Sequence, residues 1–226
     1  MSARQKDLLK SVEYPESDGQ PMGETDKHRQ MMIDLIEALK TYFAAQPEVY
    51  VSGNLMCYYE ENNPTNSISP DVFVVRGAAK HERRIYKFWE EPVPNVVLEI
   101  SSKKTRKDDL QKKKDLYAWL GVREYFVFDP EYKLQPPLRA FRLHGQELVA
   151  EIVHQNRVWS DELGLELVND GSTLRLWNPE AGEFLRTHAE EAAARQAEVV
   201  ARQAAETRAA RLAAKLRELG LDPDQI

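Results

Sequence analysis

The stretch from Pro94 to Pro130, PNVVLEISSKKTRKDDLQKKKDLYAWLGVREYFVFDP, constrains the fold more than any other part of the chain. Its pattern is strand, basic turn, helix, strand. Asn95 to Ser101 is a short β-branched run, the composition of a strand buried on both faces. Glu99 interrupts it with an acid where an apolar side chain fits the pattern. A buried carboxylate is costly unless a metal or a cation offsets its charge. The following helix, predicted from about Asp108 to Gly121, offers a cation. Its first turn carries two acids, and glycine is a common residue just past a helix end. At about 100° per residue, Leu110, Leu116, Tyr117 and Leu120 share one sector with Lys113 at its centre. Lys112 points well away and Lys114 lies toward one margin. Lysine is almost never buried without a partner. An inward Glu99 and an inward Lys113 therefore point to one shared site, whose alternative reading is a structural salt bridge.

Around this unit, 226 residues with 42% hydrophobic and 30% charged content suffice for one main domain plus an appendage. The single cysteine, Cys57, excludes an internal disulfide and fits a reducing compartment. No apolar run approaches the ~18 residues of a membrane span. The polar start MSARQKDLLKSVEYPESDG lacks a signal-peptide core, so a cytoplasmic location is expected. The net charge of −6 argues against a surface that is basic overall. Positive charge is nonetheless concentrated locally. Lys103, Lys104, Arg106, Lys107, Lys112, Lys113 and Lys114 face only Asp108 and Asp109 between Ser101 and Lys114. Such a run forms either a phosphate-binding patch or a solvated face.

Residues 1–20 read as an irregular lead-in. From Thr25 to Ala45, Met32, Leu35, Ile36, Leu39, Tyr42 and Phe43 form one helical stripe. Glu24 stands at its start, where an acid complements the helix dipole. His28 has no histidine partner at metal-ligand spacing. Val49 to Tyr59 is extended with a bend at Gly53–Asn54, and Ile68 to Val75 is a strand with Asp71 at its mouth. Asp71 follows a proline, a combination that also caps turns. Gly77 to Pro94 is a connection in which Trp89 is expected to pack, with Arg83 and Arg84 left open between packing and nucleic-acid contact. Beyond Phe128 come a hairpin around His144–Gly145 and strands at Leu163–Val168 and Thr173–Trp177, expected to extend the sheet antiparallel. Residues 186–219 are rich in Ala, Arg, Glu and Gln, with Glu191–Arg195 and Glu198–Arg202 at i,i+4 spacing. They are predicted to form a long exposed helix that can self-associate as a weak coiled coil.

Asp71, Glu99 and Lys113 make an oxygen-rich site beside a cation, suited to Mg²⁺ or Mn²⁺ and not to zinc. That is equipment for phosphodiester hydrolysis. The segments SPDVFVV, VLEISSKKTRKDDLQKKKDLYAWLGVREYFVFDP and ETDKHRQMMIDLIEAL resemble the Uma2 family, the DUF820 group of restriction-type endonucleases in the PD-(D/E)XK nuclease superfamily. The resemblance spans roughly residues 20 to 180. It implies an α/β restriction-endonuclease-like core of helix, mixed central sheet and crossover helix, with an antiparallel β extension and a long C-terminal helix. It divides the chain into the lead-in, a nuclease-like domain over 21–182 and a helical tail over 183–226.

By the same resemblance Asp71 and Glu99 bind Mg²⁺ or Mn²⁺, with the backbone carbonyl of Ile100 as a further ligand and Glu24 as a helix-1 acid completing the shell. The superfamily lysine would stand at position 101, where this chain has Ser101. The Asp109–Lys113–Tyr117 spacing is similar to a pattern in which the following helix supplies the lysine. Lys113 is also the residue that the helical face singles out. The implied activity is metal-dependent endonucleolytic cleavage of DNA; the local charge run makes Lys103, Lys104, Arg106 and Lys107 candidate nucleic-acid contacts, and the composition of the tail makes it a candidate for homo-oligomer formation. The alternative, favoured by Ser101, is a catalytically inactive module that binds nucleic acid or a protein.

Overall fold

The computed structural model describes residues 12–17, 19, 25–171 and 173–219. It divides into two compact units, Met1–Leu185 and Arg186–Ile226. The first is a mixed α/β structure. Helix α1 (Asp26–Tyr42) begins at Thr25, whose side chain caps it by accepting the His28 backbone N–H. Two short strands follow, β1 (Val49–Ser52) and β2 (Cys57–Tyr58), then β3 (Ser67–Ile68), β4 (Val72–Arg76) and β5 (Tyr86–Lys87). The central unit is β6 (Val96–Ile100), α2 (Arg106–Leu110), α3 (Lys112–Leu120) and β7 (Glu124–Phe128). The hairpin β8 (Leu138–His144) and β9 (Glu147–Glu151) comes next, then β10 (Arg157–Ser160), β11 (Leu165–Asn169), β12 (Leu174–Asn178) and β13 (Glu183–Phe184).

A six-stranded sheet in the order β1-β4-β6-β7-β8-β9 forms the centre. Only β6 and β7 pair in parallel among its described strands. A parallel pair needs a crossover, and α2 and α3 supply it. Side chains alternate across the sheet. Val96, Leu98 and Ile100 of β6 share a cluster with Leu35 and Leu39 of α1 and with Leu165, Leu167 and Leu176. Val97 faces the opposite layer, with Tyr117 of α3, Tyr125 of β7 and Tyr86. Glu99 is two residues further along the same face as Val97, which turns it toward α3. All five residues of β6 are buried, as its β-branched composition predicts.

Two expectations change in detail. The helix after β6 is two helices, because Gln111 takes φ −126° and ψ −82° and interrupts the helical path between Leu110 and Lys112. The break lies in a run of charged residues whose apolar spacing continues across it. The β extension is likewise divided. β8 and β9 extend the central sheet, whereas β10–β13 form a separate four-stranded antiparallel sheet packed on the α1 side. Period-two alternation identifies a strand without saying which sheet it joins.

The second sheet is tied down at the N-terminal ends of β6 and β7. Glu124, 2% exposed, accepts hydrogen bonds from the Ser160 hydroxyl, the Asp161 backbone N–H at 2.9 Å and Arg142 at 3.3 Å. Burial raises its carboxyl, and these donors work against that rise. Glu162 next to it reaches Arg123 at 2.9 Å and the Asn95 side-chain amide at 3.0 Å.

At the opposite end of β7, Asp129 is fully buried. It accepts backbone N–H bonds from Glu131 at 3.0 Å, Lys133 at 2.9 Å and Leu134 at 2.7 Å, and faces the Arg106 guanidinium at 3.3 Å. One carboxylate thus fixes both the turn after β7 and the start of α2. Replacing Asp129 with alanine leaves these donors unpaired. It is expected to lower unfolding stability by about 3 kcal/mol, read from urea denaturation midpoints.

The second unit holds α4 (His188–Glu218). A capping box starts it: Glu190 N–H bonds the Thr187 hydroxyl, and the Glu190 carboxylate accepts the Thr187 N–H at 2.8 Å. None of its described residues is buried. Glu191 pairs with Arg195 at 3.2 Å, while Arg202 pairs with Glu206 at 2.9 Å. No helix among the described residues is long and apolar enough to cross a membrane.

Candidate active site

The C-terminal end of β6, the start of β4 and the crossover helices meet at a cluster of charged side chains. Glu99 is 1% exposed. One of its oxygens lies 2.8 Å from the Lys113 ammonium, and the other accepts a 2.7 Å hydrogen bond from the Tyr117 hydroxyl. Lys113 also lies 3.0 Å from Asp109, itself 1% exposed. The Lys113 side chain keeps 22% exposure, so it is the most open member of this trio.

Asp71 sits just before β4, and its Oδ2 accepts the Ile100 backbone N–H at 2.7 Å. Its Oδ1 lies 3.2 Å from His28 Nε2. Both side chains are mostly buried, at 14% and 12% exposure. The turn before β4 leaves no room for a side chain at Gly53. A Cβ there would stand 1.9 Å from the Asp71 backbone oxygen and 2.7 Å from Ile36 Cδ1. Glycine at the bend lets the backbone pass close to Asp71. Gly53→Ala is expected to cost about 3 kcal/mol in a urea melt, because backbone, not a flexible side chain, must yield.

Electrostatics follow from this packing. Burial pushes the Glu99 carboxyl up to about 8; Asp71 and Asp109 add to the rise and Lys113 opposes it. Burial works against the Lys113 ammonium, yet Glu99 and Asp109 together hold it above the ordinary lysine range. Burial also raises the Tyr117 hydroxyl well above its usual value, with Glu99 adding to it.

The structure brings two of the sequence-predicted trio into contact, Glu99 with Lys113, and places Asp71 beside them through its bond to the Ile100 N–H. Ser101 occupies the same face of the chain as Glu99, buried, its hydroxyl without a hydrogen-bond partner. Glu24 lies outside the described residues. Of the basic turn, Lys103, Lys104 and Lys107 are exposed. Arg106 turns inward to Asp129 and Glu131 and does not belong to the free basic surface. Arg83 is likewise a packing residue, bonded to Glu91 and stacked over Tyr50 with its guanidinium carbon 4.0 Å from the ring centre.

Two residues went unassigned in the sequence. His28 reaches Asp71 across 43 positions, a contact that only the docking of α1 on the sheet creates. Asp109 reads as a helix-start acid, yet it is buried against Lys113. The Asp109–Lys113–Tyr117 spacing in the sequence already places it i,i+4 from Lys113, without giving it a role.

Carboxylate and carbonyl oxygens suit a hard divalent cation. Among the described residues, three carboxylates, from Asp71, Glu99 and Asp109, stand against Lys113 and His28, an excess of acid that such a cation would offset. Among the described residues, no group of three or more His, Cys, Asp or Glu side chains is arranged to hold a metal by itself. Mg²⁺ commonly takes one or two carboxylates and completes its shell from water and phosphate.

A mixed α/β fold with an acid–lysine pair at the end of a parallel strand is the class that this architecture defines. The particular family follows from the Uma2 family model, described as "Putative restriction endonuclease", which matches residues 6–175. The chain belongs to the Uma2 family. No curated protein matches it. Among solved structures it is similar to "a putative nuclease belonging to DUF820 from Anabaena variabilis ATCC 29413", at 16% identity and a TM-score of 0.48. That similarity covers 70% of this chain and 89% of the other.

Proposed function

We propose that this protein is a divalent-metal-dependent endonuclease of the PD-(D/E)XK type that hydrolyses DNA phosphodiester bonds. The observation that carries the reading is the 2.8 Å contact between Lys113 and Glu99 at the end of β6, beside Asp71. The family description supports nuclease chemistry, and the charged cluster supplies groups able to perform it. Fold alone would not license this step.

In this reading Asp71 and Glu99 hold Mg²⁺ or Mn²⁺, with the Ile100 backbone carbonyl beside them. The bound ion would polarise the phosphoryl oxygen and lower the pKa of the attacking water. Ile100 contributes in a second way: its N–H fixes the Asp71 carboxylate. The Tyr117 hydroxyl does the same for Glu99. Lys113 presents a permanent positive charge from the partly open side, where it stabilises charge developing on the phosphate. It takes the part that a lysine at position 101 would play. Lys103, Lys104 and Lys107 bind the phosphate backbone on approach, a contribution that weakens steeply with salt.

Calorimetric titration of the wild type with Mn²⁺ and Mg²⁺, run beside plasmid cleavage, tests the reading. Binding of either ion together with metal-dependent cleavage is the expected result. A folded protein that binds neither ion and cuts nothing would overturn it and leave the inactive binding module in its place.

A further inference from the structure

Asp109 has no place in the chemistry set out above, and its surroundings are unusual. It is 1% exposed, and neither carboxylate oxygen has a hydrogen-bond partner. Its ion-pair partner is Lys113, at 3.0 Å, and the same ammonium lies 2.8 Å from Glu99. An uncompensated carboxylate at such depth is costly, so the lysine is shared because two acids compete for it.

The shared pair spans the helix break. Asp109 is near the end of α2 and Lys113 near the start of α3, with Gln111 between them out of helical conformation. The Tyr125 hydroxyl donates to the Asp109 backbone carbonyl at 2.9 Å, which satisfies an acceptor near the end of α2. Its ring packs against that of Tyr117 with centroids 5.0 Å apart, and the Tyr117 hydroxyl holds the other oxygen of Glu99. Two packed tyrosines therefore fix two acids around one lysine.

We infer that Asp109 is a positioning residue that shares the charge of the Lys113 ammonium with Glu99 and so keeps the Glu99 carboxylate available to a divalent cation. The inference rests on the metal reading of Glu99 proposed above. Without Asp109 the whole lysine charge would fall on Glu99 and compete with the metal for the same oxygens. The effect passes through Lys113, and Asp109 itself touches neither metal nor phosphate.

The test is Mn²⁺ affinity by calorimetry on the full chain, with folding checked by circular dichroism. Asp109→Asn keeps the shape and removes the charge. It is expected to weaken Mn²⁺ binding by roughly tenfold or more, as loss of a group that orients a metal ligand does. In a Lys113→Gln background the same substitution should change affinity less than threefold, because there is no lysine left to share. An unchanged affinity in folded D109N overturns the inference, and so does an equal loss in both backgrounds, which would mark a plain charge effect. Should D109N fail to fold, Tyr125→Phe takes its place. It frees the Asp109 carbonyl, and is expected to weaken binding in the same direction; unchanged affinity in it overturns the inference. Absence of Mn²⁺ binding in the wild type is a separate result: it removes the metal reading and the inference with it.

Discussion

Glu99→Gln is expected to abolish metal-dependent plasmid cleavage, lowering the rate by about a thousandfold or more, while the protein stays folded. The amide keeps the volume of the side chain and can still accept the Tyr117 hydroxyl bond. It loses the negative charge that would bind a cation. Metal polarisation of a phosphoryl group is worth several kcal/mol of transition-state stabilisation, and each ~1.4 kcal/mol is a factor of ten. Calorimetry should show Mn²⁺ binding lost in the same variant. Retained cleavage in E99Q would remove Glu99 from the reaction and return the Glu99–Lys113 pair to a structural role.

Lys113→Met carries the largest expected effect on stability. It leaves Glu99 and Asp109, each 1% exposed, without their shared cation. Breaking a buried pair by removing one partner typically costs about 3–5 kcal/mol, and methionine recovers little because the carboxylates remain. Urea denaturation measures the loss. Added Mn²⁺ should recover part of it, since an ion that binds only the folded state stabilises it by mass action. A Lys113→Met protein as stable as the wild type would show that the acids are neutral or solvated in the folded state. A stability loss unaffected by Mn²⁺ would count against the metal site while leaving the ion pair intact.

Much of this site is legible before any coordinates. Glu99 stands out because it interrupts an apolar strand, and Lys113 because it interrupts an apolar helix face; each exception points to the other. Asp71 is weaker, since a Pro-Asp pair also forms turns and only its position beside Ile100 separates the two roles. His28 was not legible, because its contact depends on how α1 docks and not on local spacing. Arg106 misleads for the opposite reason. It belongs to a run of exposed lysines in the sequence, yet the buried Asp129, 23 positions later, captures it. Composition records the charge of a residue and not the direction in which the backbone sends it. The break at Gln111 was hidden too, because the residues on either side keep the helical spacing across it.

The parallel pairing of β6 with β7 has a consequence for inheritance. A chain that must return to the start of the next strand carries its crossover with it, and here Glu99, Asp109, Lys113, Tyr117 and Tyr125 all fall between Val96 and Phe128. Recombination between related genes with both breakpoints outside this interval would transmit these five residues as one block. Among the described site residues, only Asp71 and His28 would then have to be matched by the recipient. A breakpoint near Gln111 would separate Asp109 from Lys113, and the two halves would arrive from different ancestors with their shared charge unbalanced.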